Sequence, residues 1–232
     1  LIRTKRPTDE FEASAQGAWE TGLNQVYQAS VSGPIVPGVL KAKIAAYYKN
    51  DEGFWANELD GSKLGEVETI VVRPVIEFTP SENAEFIVRY EHGESEGHGT
   101  IAQNRALFER GTDDVTTDEP GFMDHEWDQV SAEANIDVPF GDGVITNIFG
   151  WRQYSSASQS DFDASTSNLL LFGEITEQEQ FSNELRYSGR FFDRVNFTLG
   201  GFWFDQELKY QETRFLFQDP SLAPAQAIGA AP

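Results

Sequence analysis

The sequence predicts an all-β fold, an antiparallel transmembrane β-barrel wall of about nine strands. Three observations carry that prediction. Hydrophobicity alternates with a period of two through one stretch after another, as on a strand with one face in lipid and one in water. The connections between stretches are short at one end and long and acidic at the other. No stretch approaches 18 consecutive apolar residues, which excludes a transmembrane helix.

The alternation is explicit from the start of the chain. Phe11, Ala13, Ala15, Gly17 and Trp19 oppose Glu12, Ser14 and Gln16. Leu40, Ala42, Ile44, Ala46 and Tyr48 then oppose Lys41, Lys43 and Lys49. Ala84, Phe86, Val88 and Tyr90 oppose Glu85, Arg89 and Glu91. The clearest stretch, Asp128 to Val138, sets Val130, Ala132, Ala134, Ile136 and Val138 against Gln129, Ser131, Glu133, Asn135 and Asp137. Phe181, Asn183, Leu185 and Tyr187 oppose Ser182, Glu184, Arg186 and Ser188. A helical period would scatter both sets around the axis.

Short turns are expected at Pro34 to Val39, Thr79 to Ala84, Pro139 to Gly143 and Gly189 to Arg194, where Pro, Gly, Asn or Asp suit tight reversals. Long connections are expected over residues 50–68, 93–127 and 155–179, with another from Glu212 into residues 212–232. In a bacterial outer-membrane barrel the short turns face the periplasm and the long loops face outside.

Composition narrows the class further. A net charge of -21 argues against nucleic acid as a partner, because phosphate binding needs clustered Lys and Arg. Without cysteine there is no disulfide, thiolate metal site or thiol nucleophile. The chain opens at Leu1 with neither an initiator Met nor a signal-like segment, so any export signal is expected to lie outside it.

Parity places Lys41, Lys43, Arg73, Glu77, Glu85, Arg89, Glu133, Asp137, Arg152, Glu184 and Arg186 on the polar, lumen-facing side. Of these, Arg89, Arg152 and Arg186 are candidate ligand contacts. Phe54 and Trp55, in an external loop, are candidates for stacking on a sugar or another flat ligand. The aromatics Trp19, Tyr47, Tyr48, Phe54, Trp55, Trp151, Tyr154, Trp203 and Phe204 read as an interface girdle near strand ends. His92, His98 and His125 sit among acidic residues, but no metal motif such as H-E-x-x-H is present, and no metal or cofactor is expected. The paired carboxylates, such as Asp113 with Asp114 and Asp161 with Asp163, lack a calcium-loop spacing and read as a solvated acidic surface. No G-x-S-x-G elbow or other catalytic constellation appears, so an enzyme is not expected.

Several segments, in order, resemble TonB-dependent outer-membrane receptors. Leu1-Ile2-Arg3-Thr4-Lys5-Arg6-Pro7 is similar to the last strand of the plug domain. Val31 to Val36 with Leu40 to Tyr48 is similar to the second strand, periplasmic turn and third strand. Gln180 to Arg186 with Leu199 to Asp205 resembles a strand pair from the middle of such barrels. The resemblance implies a barrel of 22 strands around a plugged lumen. It divides the chain into residues 1–8, the end of the plug and its junction, and residues 9–232, the first part of the barrel. A TonB box, a plug body and an aromatic C-terminal strand are not seen, so the chain is expected to be a piece of a protein about three times longer, as so few strands cannot close such a barrel.

The function implied is active uptake across the outer membrane of a Gram-negative bacterium. The ligand would be a scarce nutrient such as a siderophore complex or an oligosaccharide. The partners implied are a TonB-type energy-coupling protein, reached through the plug, and outer-membrane lipid. Two alternatives stand beside it: a passive porin, which has no use for a plug-like Leu1 to Pro7, and a soluble β-sandwich with its apolar face buried as a core.

Overall fold

The computed structural model describes residues 5–21, 24–192 and 194–216. In chain order the strands are β1 (Glu12–Glu20), β2 (Asn24–Val36), β3 (Leu40–Asp51), β4 (Trp55–Asn57), β5 (Lys63–Leu64), β6 (Val67–Ser81), β7 (Ala84–Gly97), β8 (Asp114–Val115), β9 (Phe122–Val138), β10 (Gly143–Asp161), β11 (Leu170–Phe191) and β12 (Val195–Leu216). Nine of them make one antiparallel sheet, ordered β1-β2-β3-β6-β7-β9-β10-β11-β12. Each long strand thus pairs with the next long strand in sequence, as tight reversals require. The short strands form a separate sheet, β5-β4-β8.

The short turns lie where Pro, Gly, Asn and Asp predicted them. Gly38, at φ 74, takes the left-handed position in the β2–β3 turn that a side chain disfavours. A 3-10 turn at Phe140–Asp142 joins β9 to β10. Pro74 stands inside a central strand, which a missing N–H normally forbids. The β6–β7 ladder accordingly lacks the rungs of Arg73 and Pro74, resuming from Val72↔His92 to Val75↔Arg89 without a change of register.

The long connections are shorter than expected. β7 runs on to Gly97, β9 starts at Phe122, β10 reaches Asp161 and β11 starts at Leu170. The expected loop 93–127 narrows to 98–121, and 155–179 narrows to 162–169. Strand β12 likewise continues to Leu216, and residues 217–232 lie outside the described residues. The reason is physical: Ser155 to Asp161 is polar on both faces while Leu170, Leu171 and Phe172 put apolar residues on both, so pairing continues while the alternation that reveals a strand disappears.

The outward face is apolar and bare. Ile44, Ile76, Val88, Leu185 and Trp203 lie on it by register and are all exposed, and among the described residues no second layer covers them. That rules out the β-sandwich for this part of the chain, because a sandwich buries this face. Aromatic contacts mark both ends of the outward face. Trp19, Tyr27 and Tyr48 are in contact at the loop end, and Phe140, Tyr187 and Phe191 at the turn end.

Leu64 and Val115 are fully buried where the 52–66, 98–121 and 162–169 connections pack together with the end of β10. The loops therefore form a small folded lobe rather than separate excursions.

Candidate functional site

The register assigns every side chain to a face. Every Lys and Arg on the main sheet except Lys209 falls on the inner face, which also carries Glu77, Glu85, Glu91, Glu133 and Glu184. The inward set predicted by parity is reproduced throughout. The outward face carries Glu68, Glu94, Glu96, Asp124, Glu126, Asp128, Glu177 and Glu179 toward the loop end instead. Several of these had been read as loop residues, because an acidic strand extension has no hydrophobic signature.

Residues 5–9 lie across the inner face. Thr8 N–H donates to Ser32 Oγ at 2.9 Å, and Arg6 pairs with Glu85 at 2.8 Å and with Glu133 at 3.7 Å. Lys41 bridges Asp9 at 3.1 Å and Glu77 at 2.6 Å. Ile87 sits between Glu85 and its cross-strand partner Glu133, and the Arg6 bridge closes over it, so that this inward apolar residue is fully buried. Arg6 thus packs against the inner face ahead of β1, while Leu1 to Thr4 lie outside the described residues.

Beside this segment lies a groove of about 910 Å³ lined by Arg6, Arg73, Arg89, Arg152 and Arg186. The alternation of charged and apolar residues on β6, β7, β10 and β11 brings these guanidinium groups to one face although they span more than a hundred residues of sequence. Most are committed. Arg73 pairs with Glu91 beside the rungs that Pro74 removes, Arg89 with Glu133 at 3.4 Å and Arg186 with Glu184 at 3.1 Å. Arg152 is exposed, makes no ion pair among the described residues, and lies 5.6 Å over the Tyr154 ring. The Tyr154 hydroxyl meets His125 Nδ1 at 2.6 Å. Arg152 with Tyr154 therefore offers a guanidinium and an aromatic face to an anionic, ring-bearing ligand.

The structure brings Arg89, Arg152 and Arg186 together on this wall. Phe54 and Trp55 do not line it; they belong to the loop lobe, with ring centroids 4.7 Å apart and Phe54 exposed. Tyr47, Tyr154 and Phe204 depart from the expected girdle. Tyr48 and Trp203 face outward by register, and sequence neighbours on a strand cannot share a face. Tyr47, Tyr154 and Phe204 are inner-wall residues.

The three histidines do not converge. His125 is inward, and His98 accepts the Glu66 N–H at 3.4 Å in the lobe. His92 is outward, its ring nitrogens 3.0 Å from Asp128 and 3.2 Å from Glu94. His92, Glu126 and Asp128, of which only Glu126 is exposed, form a group whose ligand atoms lie within 4.8 Å of one another, but the His92 nitrogens are already engaged by carboxylates.

No family model matches the chain, and no curated protein matches it in sequence. Solved structures do match it. The ferric yersiniabactin uptake receptor FyuA from Yersinia pestis superposes with a TM-score of 0.79 at 16% identity, over 94% of this chain and 34% of the receptor. The siderophore receptor PiuA from Acinetobacter baumannii gives 0.68 at 14% identity, over 89% of this chain and 32% of that one. The ferripyoverdine receptor of the outer membrane of Pseudomonas aeruginosa, bound to ferripyoverdine, gives 0.59 at 14% identity, over 91% and 29%. The chain thus has the fold of a barrel wall in these receptors and spans about a third of the length of the first.

Proposed function

We propose that this chain is part of the wall of a TonB-dependent outer-membrane receptor of a Gram-negative bacterium, and that the receptor takes up a ferric siderophore with energy delivered through TonB. One observation carries the reading. On a wall with the fold of siderophore receptors, the cations of the main sheet are gathered on the inner face, below a folded lobe of loops. Residues 5–8 are the end of a plug, and the remaining chain is the first part of a larger barrel. Among the described residues β1 and β12 have no outer neighbour, which supports the larger barrel, because unpaired backbone groups in hydrocarbon cost several kcal/mol each.

The test uses the full-length receptor in the outer membrane of a host that lacks its own siderophore receptors. Uptake of a panel of labelled ferric chelates should select one or a few of them and should stop when a protonophore collapses the proton gradient. Arg152→Ala should raise the Kd of the accepted chelate roughly tenfold, about 1.4 kcal/mol, through loss of one charge-assisted contact. Unselective entry that ignores the protonophore would return the protein to the porins.

A further inference from the structure

The loop lobe is held by a buried polar clasp. Asn57, Thr117 and Asp161 come from three different parts of the chain and are 4%, 7% and 6% exposed. The Asn57 carboxamide takes both backbone groups of Thr117: Nδ2 donates to the Thr117 carbonyl at 3.1 Å and Oδ1 accepts the Thr117 N–H at 3.2 Å. On the other side, Thr117 Oγ1 lies 2.7 Å from Asp161 Oδ2. Asp161 Oδ1 accepts the N–H groups of Asp163 at 3.0 Å and Ala164 at 3.1 Å.

The hydrogens at Thr117 do not add up if Asp161 is ionised. Oγ1 already accepts the Glu119 N–H at 3.1 Å, and it lies 2.7 Å from two acceptors, the Glu119 carbonyl and Asp161 Oδ2. A hydroxyl has one hydrogen to give. With a carboxylate at 161, one of these contacts sets oxygen against oxygen with nothing between. A proton on Asp161 Oδ2 completes the set: Asp161 donates to Thr117, and Thr117 donates to the Glu119 carbonyl.

The surroundings favour the same form. The adjoining cavity, about 10 Å³, has room for about one water molecule, too little to hydrate a carboxylate. Its lining from β5, the 100–102 segment, the 115–120 segment and the end of β10 contains no Lys, Arg or His. Of the bases of the flanking connections, Lys63, Arg105 and Arg110 are exposed, and His98, half-buried, is turned to Glu66, whose N–H it accepts at 3.4 Å. The charged groups shown beside Asp161 are acidic: Asp163 on its own connection, and Glu119 in the lining of the same cavity. Asp163 accepts the N–H groups of Leu169 at 3.3 Å and Leu170 at 2.8 Å.

We propose that Asp161 is a neutral carboxylic acid in the folded lobe, and that its proton joins three external connections into one unit. Burial, with the Asp163 charge as a smaller cause, outweighs the Thr117 hydrogen bond and the Asp163 and Ala164 N–H donors and raises the Asp161 carboxyl above its ordinary value. The folded lobe then binds a proton that the opened lobe releases. Stability is full below the ordinary aspartate value of about 3.9, falls as pH rises toward the raised folded value, and is flat beyond it. The lobe is thus a clasp that loosens on the alkaline side.

The test is infrared difference spectroscopy against pH on the full-length receptor in detergent, with amide exchange of residues 114–120 measured on the same samples and corrected for the intrinsic rate. Wild type should show a protonated-carboxyl band that titrates above the ordinary aspartate value, and protection of 114–120 should fall several-fold through the same titration. D161N, whose amide reproduces the neutral acid, should lack the band and keep protection independent of pH. D163N should move the band's midpoint down toward the ordinary value. A band untouched by D161N, or one unmoved by D163N, overturns the proposal. So does the same fall in protection in wild type and D161N.

Discussion

At the scale of single residues, the inner wall depends on contacts that no local pattern announces. Trp127 lies opposite Gly93 in the β7–β9 register, and a Cβ added to Gly93 would stand 2.1 Å from the indole. The ring lies flat over the glycine, and its Nε1 donates to Glu91 at 2.8 Å, which in turn holds Arg73. Gly93→Ala must push the indole off the strand, which should cost about 1–3 kcal/mol as an overpacked site and release Glu91 from one of its donors. The thermal midpoint of the full-length protein in detergent measures this, and an unchanged midpoint would mean that Trp127 has another seat. The inward direction of Arg89 and Arg152 was legible from the sequence, because it needs only the parity of one strand. The Gly93–Trp127 contact was not, because it depends on pairing two segments 34 positions apart. Asp161 was hidden for a related reason. In the sequence it is one acid of a solvated pair, and only the packing of three connections buries it.

At the scale of elements, the alternation that revealed the strands is also the easiest feature to test. Ala132 and Ser131 are neighbours on β9. Ala132 faces outward in the row of Val88 and Phe149, and Ser131 faces inward in the row of Arg89 and Gly150. Ala132→Arg places a guanidinium on the apolar band and should cost about 2–4 kcal/mol if it lies near the bilayer midplane. Ser131→Arg, one residue away, meets the polar groove and should leave the amount of folded protein in the outer membrane unchanged. Equal loss from both variants would sink the assignment of faces. The same physics explains where the sequence misled. Strands β10 and β11 continue for several residues past the apolar band, paired from Ser155↔Glu177 to Asp161↔Leu171. There no lipid selects one face, so the extension pairs without the period-two alternation that would set it apart from a loop.

At the scale of the whole molecule, charge is sorted by position. The chain carries a net charge of -21, yet its main-sheet cations line the inner wall almost without exception, and the excess acid lies on the lobe and on the outward strand extensions. The one outward Lys or Arg among the described residues of the main sheet, Lys209, lies within 4 Å of Glu177 and Glu207 and so leaves little positive field on that side. An anionic chelate approaching from the lobe side therefore crosses a repulsive field before it meets Arg152. Salt acts on the two stages in opposite senses. At about 10 mM ionic strength the Debye length is about 30 Å and the acidic exterior is felt far from the surface, whereas at about 150 mM it shrinks to about 8 Å. Raising salt should then speed association of an anionic ligand several-fold, because the barrier on the approach is screened. It should also speed dissociation, because the contact with the wall is weakened. Stopped-flow tryptophan fluorescence on the full-length receptor separates the two rates. An association rate that falls with salt would mean that attraction governs the approach. The acidic lobe would then serve to gather a cationic ligand, and the arginine wall would not be the anion-binding surface its composition suggests.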